Sequence, residues 1–329
     1  MGKVLVIGSN SFSGAEFVSY LLDQGREVVG VSRSAEPDPV FLPYRWGGRD
    51  AAFTFQRIDL NHDLDALLAL MREHHTTHVV NFAAQSMVGE SWKHPDHWMM
   101  TNVVSTVRLH ERIRHLDFLE RYVHVTTPEV YGSTEGFIRE DAPFRPSTPY
   151  AVSRAAADMS LRTFFEAYAF PVLFTRAANV FGPGQQLYRI VPRTILFLLT
   201  GRKLSLHGGG LSRRSFIHMR DVSAATWRIA TSGRLGETYH ISTDRIVSIR
   251  ELVEMLCARL GVDFADGVEV VGDRLGKDAA YQLDSGKLRA ELGWTDSIPL
   301  EAGLDECVAW VQDNLDTLRR LPVDYVHKP

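Results

Sequence analysis

Several features are scarce or absent in this chain of 329 residues, and each absence excludes a class of protein. There are only two cysteines, Cys257 and Cys307, which excludes a disulfide framework and predicts a reducing, cytoplasmic location. No apolar run is long enough to cross a membrane, and the first residues lack the cationic and apolar regions of a signal peptide. The net charge of −4 argues against a protein dedicated to nucleic acids or to anionic membranes.

Histidine is plentiful, with 13 residues, but the sequence offers no set of metal ligands. His74, His75 and His78 are close together, yet they straddle a predicted helix end and the start of a strand. No cysteine or carboxylate stands near them at the spacing of a zinc site. The sequence therefore predicts no bound metal.

Short β-branched runs alternate with amphipathic helical segments over the first 180 residues. The predicted strands cover 3–7, 27–32, 53–58, 77–82, 121–126 and 172–175, and the predicted helices 14–22, 63–73, 95–115 and 150–168. This alternation predicts an α/β fold with a doubly wound parallel Rossmann sheet over residues 1–180. Residues 181–329, with predicted helices at 190–199 and 248–260, are expected to form a smaller lobe that binds substrate, with some segments returning to the large domain.

The turn Gly8-Ser-Asn-Ser-Phe-Ser-Gly14 follows the first strand and opens the first helix. Glycine lets the backbone come close to a pyrophosphate, whose charge the exposed N–H groups and the helix dipole stabilise. Ser11 stands where the full fingerprint has its middle glycine. The turn predicts a bound nicotinamide dinucleotide contacted by Gly8, Ser11, Phe12, Ser13 and Gly14.

The end of the second strand distinguishes NAD from NADP. An acidic residue there would bind the adenosine ribose, but this chain has Ser32-Arg33-Ser34. A guanidinium matches phosphate oxygens, so Arg33 favours NADP, with NAD as the alternative. Further cofactor contacts are expected from Asp59, a candidate for the adenine amino group, and from Leu60, Ala83 and Ala84.

A second group of polar residues carries the chemistry. Tyr150 and Arg154 are four residues apart at a helix start and share one face. A fixed cation favours the phenolate, so this tyrosine can act as a base. Thr127 and Glu129 follow the fifth strand, at the carboxyl edge where doubly wound sheets place their sites.

In sequence order, these motifs resemble the extended short-chain dehydrogenases/reductases of the nucleotide-sugar type over nearly the full length. The motifs are Gly8–Gly14, Ala83-Ala-Gln-Ser86, Thr127-Pro-Glu-Val-Tyr-Gly132, Tyr150–Arg154, Asn179-Val-Phe-Gly-Pro-Gly184, Arg214-Ser-Phe-Ile-His-Met-Arg-Asp221, Asp273-Arg-Leu-Gly-Lys-Asp278 and Leu292-Gly-Trp294. Because Glu129 stands two residues after Thr127, the chain is most similar to the 4,6-dehydratases, such as those for GDP-mannose and dTDP-glucose.

The resemblance implies a reaction and a role for each residue. Tyr150 would take the proton of the sugar 4-hydroxyl, which Thr127 holds, while a hydride leaves C4 for the nicotinamide. Glu129 would remove the acidified C5 proton, water would leave from C6, and the hydride would return to C6. Arg154 would hold the nicotinamide ribose and lower the pKa of Tyr150.

Two positions depart from the family pattern. Arg154 replaces a lysine, which keeps the charge on a bulkier group that is never neutral. Pro128 replaces the aspartate that protonates the leaving hydroxyl in the dTDP-glucose type, so Glu129 or a water must supply that proton. The GDP-mannose type lacks this aspartate as well.

The resemblance also implies contacts to a nucleotide diphosphate sugar. Arg214 and Arg274 match positions that hold the diphosphate, and Asn179 matches one that contacts diphosphate or sugar. Arg189 and Arg213 are weaker candidates. Gln85 and Ser86 are expected to line the sugar pocket. The base stays open among dTDP, UDP, GDP and CDP.

Three other functions compete with the dehydratase. A C4-epimerase and a UDP-glucuronate decarboxylase share the expected fold, and the changes at Pro128 and Arg154 are also compatible with a catalytically silent dinucleotide-binding protein. The joint presence of Thr127, Glu129 and Tyr150 argues against the silent protein. The family also implies a homodimer in which helices near 95–115 and 150–168 pack as a four-helix interface.

Overall fold

The computed structural model describes residues 2–48, 52–272 and 282–328. In the described chain the strands are β1 (Val4–Ile7), β2 (Val28–Ser32), β3 (Phe53–Arg57), β4 (His78–Asn81), β5 (Arg121–Val125), β6 (Phe137–Ile138), β7 (Val172–Ala177), β8 (Asn179–Phe181), β9 (Leu204–His207), β10 (Arg213–His218), β11 (Thr238–Ile241), β12 (Ile246–Ser248), β13 (Val268–Val271) and β14 (Gln282–Leu283).

The helices of the same ranges are α1 (Phe12–Asp23), α2 (Leu64–His74), α3 (Val88–Ser91), α4 (Pro95–Met99), α5 (Thr106–Ile113), α6 (Pro149–Tyr168), α7 (Ile190–Leu199), α8 (Met219–Ser232), α9 (Ile249–Leu260), α10 (Phe264–Gly267), α11 (Gly286–Leu292), α12 (Leu300–Asp313) and α13 (Leu315–Leu318). Short 3-10 turns cover Pro39–Phe41, Pro43–Arg45, Pro128–Tyr131 and Gly208–Gly210.

Seven strands form one parallel sheet in the order β11-β7-β5-β4-β1-β2-β3. The chain runs outward from β1 to β3, returns to β4 and continues to the opposite edge, which is the doubly wound arrangement. The α/β prediction is therefore confirmed. The seventh strand, β11, comes from beyond residue 180, as expected for a segment that returns to the large domain.

Helices cover both faces of the sheet. Alternate residues of each strand point to opposite faces, so apolar side chains are present on both faces and pack against these helices. Val4 and Val6 of β1 pack with α1 and α8, whereas Leu5 and Ile7 pack with α2, α5 and α6. All four residues of β1 are buried, which explains its continuous apolar sequence, whereas the edge strand β3 is partly exposed and carries polar residues.

The long helix expected over 95–115 is interrupted. Its middle turn, Met100–Ser105, is π-helical and lies between α4 and α5. π-Turns arise where an extra residue is accommodated in a helix, and they occur frequently at functional sites. The turn carries the fully buried Asn102, which contacts one residue of the cleft described below.

The remaining elements pack beside the carboxyl edge of the sheet. Strands β8, β10 and β12 form a small sheet, β9 pairs with β13, and α7, α9 and α12 share one apolar cluster. The division of the chain at residue 180 stays a prediction. No helix within the described ranges is long and apolar enough to span a membrane.

Candidate active site

A single cleft of about 1520 Å³ at the carboxyl ends of the parallel strands collects the predicted site residues. Of those residues, its walls include Gly8, Ser11, Phe12, Ser13, Ser32, Arg33, Asp59, Leu60, Ala83, Ala84, Gln85, Ser86, Thr127, Glu129, Tyr150, Arg154, Asn179, Arg189 and Arg214. Gly14 is buried in the first turn of α1 and does not line the cleft. Arg274 belongs to 273–281, outside the described residues.

The turn after β1 depends on glycine at both ends. Gly8 has φ +84°, and a Cβ at this position would lie 2.8 Å from the amide nitrogen of Ala83. A Cβ on Gly14 would overlap the carbonyl oxygen of Gly8. Ser11 begins α1: its backbone N–H and its hydroxyl both donate to the Gly8 oxygen, at 3.0 and 2.8 Å, and its Oγ accepts from the Gly14 N–H at 3.0 Å. The serine at the middle position is thus part of the turn, and the helix N-terminus opens towards the cleft.

The end of β2 carries hydroxyl and amide groups instead of a carboxylate. The Asn10 N–H donates to the Ser32 hydroxyl at 3.0 Å, and the Asn10 amide donates to the Ser34 carbonyl at 3.1 Å. The nearest acid after β2 is Glu36, which pairs with Arg45 at 2.8 Å. No free acid follows β2 within the described residues 32–36 to receive a ribose hydroxyl.

Asp59 lies at the end of β3 with its carboxylate oriented by the local backbone. Its Oδ1 accepts from the Asn61 N–H at 2.9 Å, and its own N–H donates to Asp63 at 3.0 Å. Leu60 is buried beside it. Both residues line the dinucleotide side of the cleft.

Two N-capped segments bring the reactive side chains together. Thr148 caps α6 by accepting from the Ala151 N–H at 3.1 Å, which places Tyr150 in the first turn of that helix. Thr127 caps the 3-10 turn Pro128–Tyr131 by accepting from the Glu129 N–H at 3.2 Å. The Thr127 side chain also hydrogen-bonds to Tyr150. Hydroxyl, phenol and carboxylate therefore face one region of the cleft.

The electrostatic surroundings of Tyr150 are mixed. Burial raises its pKa above the ordinary value, and the nearby Glu129 charge acts in the same direction. The Arg154 guanidinium, the Thr127 hydrogen bond and the more distant Arg189 lower the pKa. The arginine thus supplies the largest opposition to desolvation, as a cation beside a phenolate should.

Arg154 itself is almost fully buried, with 2% exposed surface. Its Nη2 donates to the Val125 carbonyl, while Nε and Nη1 have no hydrogen-bond partner among the described residues. An unpaired buried donor costs about 1–3 kcal/mol. Because Arg154 lines the cleft, an acceptor on a bound molecule would satisfy these donors, and the hydroxyls of a nicotinamide ribose fit that need.

The sequence did not single out Asn102, the residue that holds Gln85. The Asn102 side chain accepts from the Gln85 N–H at 2.8 Å and donates to the Gln85 carbonyl at 3.0 Å and to the Ser153 hydroxyl at 2.9 Å. It thereby links the segment after β4 to α6. In the sequence, Asn102 is simply a polar residue within a predicted amphipathic helix, which does not indicate this role.

Two of the arginines predicted to hold the diphosphate, Arg189 and Arg214, are less buried than Arg154. Arg214 lies on β10 and donates to the Arg213 carbonyl at 2.8 Å. Arg189 stands at the N-cap of α7 and stacks over Tyr188, with its guanidinium carbon 5.4 Å from the ring centre. Asn179 begins β8. Arg189, Arg214 and Asn179 all line the cleft, whereas Arg213 does not.

A segment near the carboxyl end of the described chain also enters the cleft, and no sequence pattern indicated it. The Lys328 carbonyl accepts from Arg33 Nη2 at 3.1 Å and from Gln85 Nε2 at 2.7 Å. The preceding His327 stacks on His94 and His97, with ring centres 5.1–5.3 Å apart. Arg33, predicted to contact the cofactor, and Gln85, predicted to contact the sugar, thus both donate hydrogen bonds to this segment.

The model of the GDP-mannose 4,6-dehydratase family matches residues 5–307, nearly the whole chain. The chain belongs to this family. Two dTDP-glucose 4,6-dehydratases are similar to the chain over most of their length. The dTDP-glucose 4,6-dehydratase of Streptomyces antibioticus is 34% identical, covering 95% of this chain and 93% of that protein. The dTDP-glucose 4,6-dehydratase of Xanthomonas campestris pv. campestris is 31% identical, covering 95% and 94%.

Solved structures agree with this membership. The dTDP-glucose 4,6-dehydratase of Streptomyces venezuelae, solved with NAD and TYD bound, has a TM-score of 0.88 at 31% identity and covers 95% of this chain and 98% of its own. That of Bacillus anthracis, in complex with NAD, has a TM-score of 0.87 at 29% identity, covering 97% and 99%. The predicted resemblance to nucleotide-sugar dehydratases is confirmed, as is a nicotinamide dinucleotide as the cofactor class.

Proposed function

We propose that this protein is a nucleotide-sugar 4,6-dehydratase that converts an NDP-hexose into an NDP-4-keto-6-deoxyhexose. The observation that carries the proposal is the meeting of Thr127, Glu129, Tyr150 and Arg154 in the cleft that also contains the dinucleotide turn. The phenol and hydroxyl suit oxidation of an alcohol, and the carboxylate suits removal of a proton beside the resulting ketone.

Each residue then has a defined task. When bound, the nicotinamide cofactor supplies a hydride acceptor for C4 and a hydride donor for C6. Tyr150 removes the 4-hydroxyl proton, Thr127, which hydrogen-bonds to Tyr150, holds the same sugar hydroxyl, and Arg154 stabilises the phenolate. Glu129 removes the proton from C5, which the 4-ketone has acidified.

The water that leaves C6 needs one proton. Pro128 cannot donate it. Glu129 holds the proton taken from C5 and is the one carboxylate of the 3-10 turn Pro128–Tyr131, so either Glu129 or a water beside it returns that proton to the leaving hydroxyl. When the hydride returns to C6, C5 takes up one proton from water. This uptake is balanced because Tyr150 releases to water the proton that it took from the 4-hydroxyl.

The test is incubation of the protein, with NAD or NADP, with dTDP-, UDP-, GDP- and CDP-hexoses, followed by mass spectrometry. We expect one nucleotide sugar to lose the mass of one water. An epimerase would leave the mass unchanged, and a decarboxylase would release carbon dioxide from a UDP-glucuronate sample. Conversion of none would favour a dinucleotide-binding protein without catalysis, and the Tyr150→Phe variant is the control for background conversion.

The form of the cofactor is a finer part of the proposal. The lack of a free acid after β2 and the presence of Arg33 favour NADP, whereas the two solved relatives named above contain NAD. Measuring the affinities of the wild type and of Arg33→Gln for NAD and for NADP shows which dinucleotide the protein prefers. An NADP enzyme should lose NADP affinity selectively in the variant. Tighter binding of NAD by the wild type would overturn the NADP preference.

We also propose that the protein is a homodimer built on α4, α5 and α6. Large apolar side chains are exposed on α6, at Val152 (41%) and Met159 (60%), and on the π-turn between α4 and α5, at Met100 (44%). Exposed apolar side chains on adjacent helices favour association. Light scattering should give a dimer for the wild type and a monomer for Met159→Glu, while Val270→Glu, at a 57% exposed position on β13, should stay dimeric.

A further inference from the structure

Behind the reactive residues lies a buried cation that the mechanism does not use. Arg176, on β7, is fully buried, and so is its ion-pair partner Asp158 on α6. Arg176 Nη2 donates to Asp158 Oδ2 at 2.6 Å, and Arg176 Nη1 donates to the Tyr131 hydroxyl at 2.6 Å. One guanidinium therefore bridges two segments that are far apart in sequence.

The first segment is the helix that carries Tyr150 and Arg154. Asp158 follows Arg154 by four residues and Tyr150 by eight, so all three share one face of α6. The Asp158 carboxylate also accepts from the Thr126 hydroxyl at 3.1 Å, next to Thr127. Asp158 thus fixes the rotation of the helix against the end of β5.

The second segment is the 3-10 turn that carries Glu129. Tyr131 ends this turn two residues after Glu129 and is almost fully buried. Its ring lies under the Arg176 guanidinium at 4.9 Å, and its hydroxyl also bonds to His240 Nε2 at 2.8 Å. The position of the turn therefore depends on Arg176.

We propose that Arg176 is a positioning residue that sets Glu129 against Tyr150 by holding the turn of one and the helix of the other. A buried ion pair is costly, and apolar residues of similar volume are often as stable. Compared with apolar residues, an arginine adds defined geometry, because its planar guanidinium donates hydrogen bonds in two fixed directions at once. This inference rests on the proposed dehydratase function.

The two catalytic steps should respond differently to a loosened turn. Oxidation at C4 uses Tyr150, Thr127 and Arg154. Thr127 precedes the turn as its N-cap, and the contacts of these three residues to one another do not pass through Tyr131. Removal of the C5 proton uses Glu129 and depends on the turn. A displacement near 1 Å can cost on the order of a hundredfold in rate.

The decisive variant is Tyr131→Phe, which keeps the ring and removes the bonds of the hydroxyl to Arg176 and to His240. Its control is Tyr239→Phe, because the Tyr239 hydroxyl is also hydrogen-bonded, to Glu291 at 3.0 Å, but lies outside the cleft. We expect Tyr131→Phe to slow deuterium incorporation at C5 from D₂O by about tenfold or more while oxidation, followed by nicotinamide absorbance, changes less than about threefold. The control should change neither rate.

Equal slowing of both steps, or no slowing, would overturn the positioning role. Hydrogen exchange gives a readout that needs no turnover: exchange in 129–131 should rise in Tyr131→Phe and stay unchanged in Tyr239→Phe. If the wild type converts no nucleotide sugar, the proposed function fails, yet the exchange comparison still decides whether the Tyr131 hydroxyl, through its bonds to Arg176 and His240, holds the turn.

Discussion

Replacing Gly14 by alanine reverses the usual sign of a helical substitution. Glycine to alanine inside a helix ordinarily stabilises by about 1 kcal/mol. Here the new Cβ would overlap the Gly8 carbonyl oxygen. That oxygen accepts two hydrogen bonds from Ser11, and Ser11 caps Gly14, so moving it weakens three bonds.

The expected size follows from those bonds. At about 1 kcal/mol for each bond, their loss outweighs the helical gain and leaves a net destabilisation of about 2 kcal/mol. The moved turn is also the one predicted to hold the pyrophosphate, so dinucleotide affinity should fall by about a hundredfold.

Urea unfolding and titration with NAD measure these two quantities. Gly25→Ala is the matched control, since Gly25 has φ +68° and nothing within 4 Å of its Cβ position. It should lose about 1 kcal/mol of stability from the left-handed backbone alone and keep its cofactor affinity. A Gly14→Ala protein that is more stable than wild type and binds NAD normally would refute the reasoning.

Three further outcomes test the site. Glu129→Gln should still reduce the cofactor on mixing with substrate but release little product, whereas Tyr150→Phe should block the reduction itself, both followed by absorbance and mass spectrometry. Arg154→Lys keeps the cation and should retain oxidation within about tenfold, while Arg154→Met removes the charge that lowers the Tyr150 pKa, so the rising limb of the oxidation pH profile should move to higher pH. A chain that ends after Val323 lacks the Lys328 carbonyl bonded to Arg33 and Gln85, so NAD should bind up to about tenfold more tightly; weaker binding would mean that this segment covers the bound cofactor.

The parts of the fold that sequence reasoning predicted are those with a local cause. Val4–Ile7 is apolar throughout because both faces of the sheet are covered, and Gly8 and Gly14 stand where backbones approach closely. By contrast, β11 contains His240, which looks like a surface residue until its bond to Tyr131 is known.

The parts of the site that escaped prediction depend on distant contacts. Asn102 acquires its role from Gln85 and Ser153, which lie 17 and 51 residues away. Lys328 reaches Arg33 across 295 residues through its backbone, which carries no residue signature. Neither hydrophobic periodicity nor a short motif can predict such pairs, because the residues next to each partner in the sequence give no sign of the distant contact.

The arginine at position 154 links the site's electrostatics to its need for a ligand. A lysine would carry the same charge with fewer hydrogen-bond donors. Arg154 donates one N–H to the Val125 carbonyl, and its Nε and Nη1 are buried without partners in the described part of the chain. Those donors destabilise the protein without ligand and favour a bound molecule that offers two acceptors. Because the same group lowers the pKa of Tyr150, the residue that we propose to activate the base would also favour a filled cleft. On this proposal, we expect the arginine to strengthen the hold on a bound cofactor rather than to abolish catalysis.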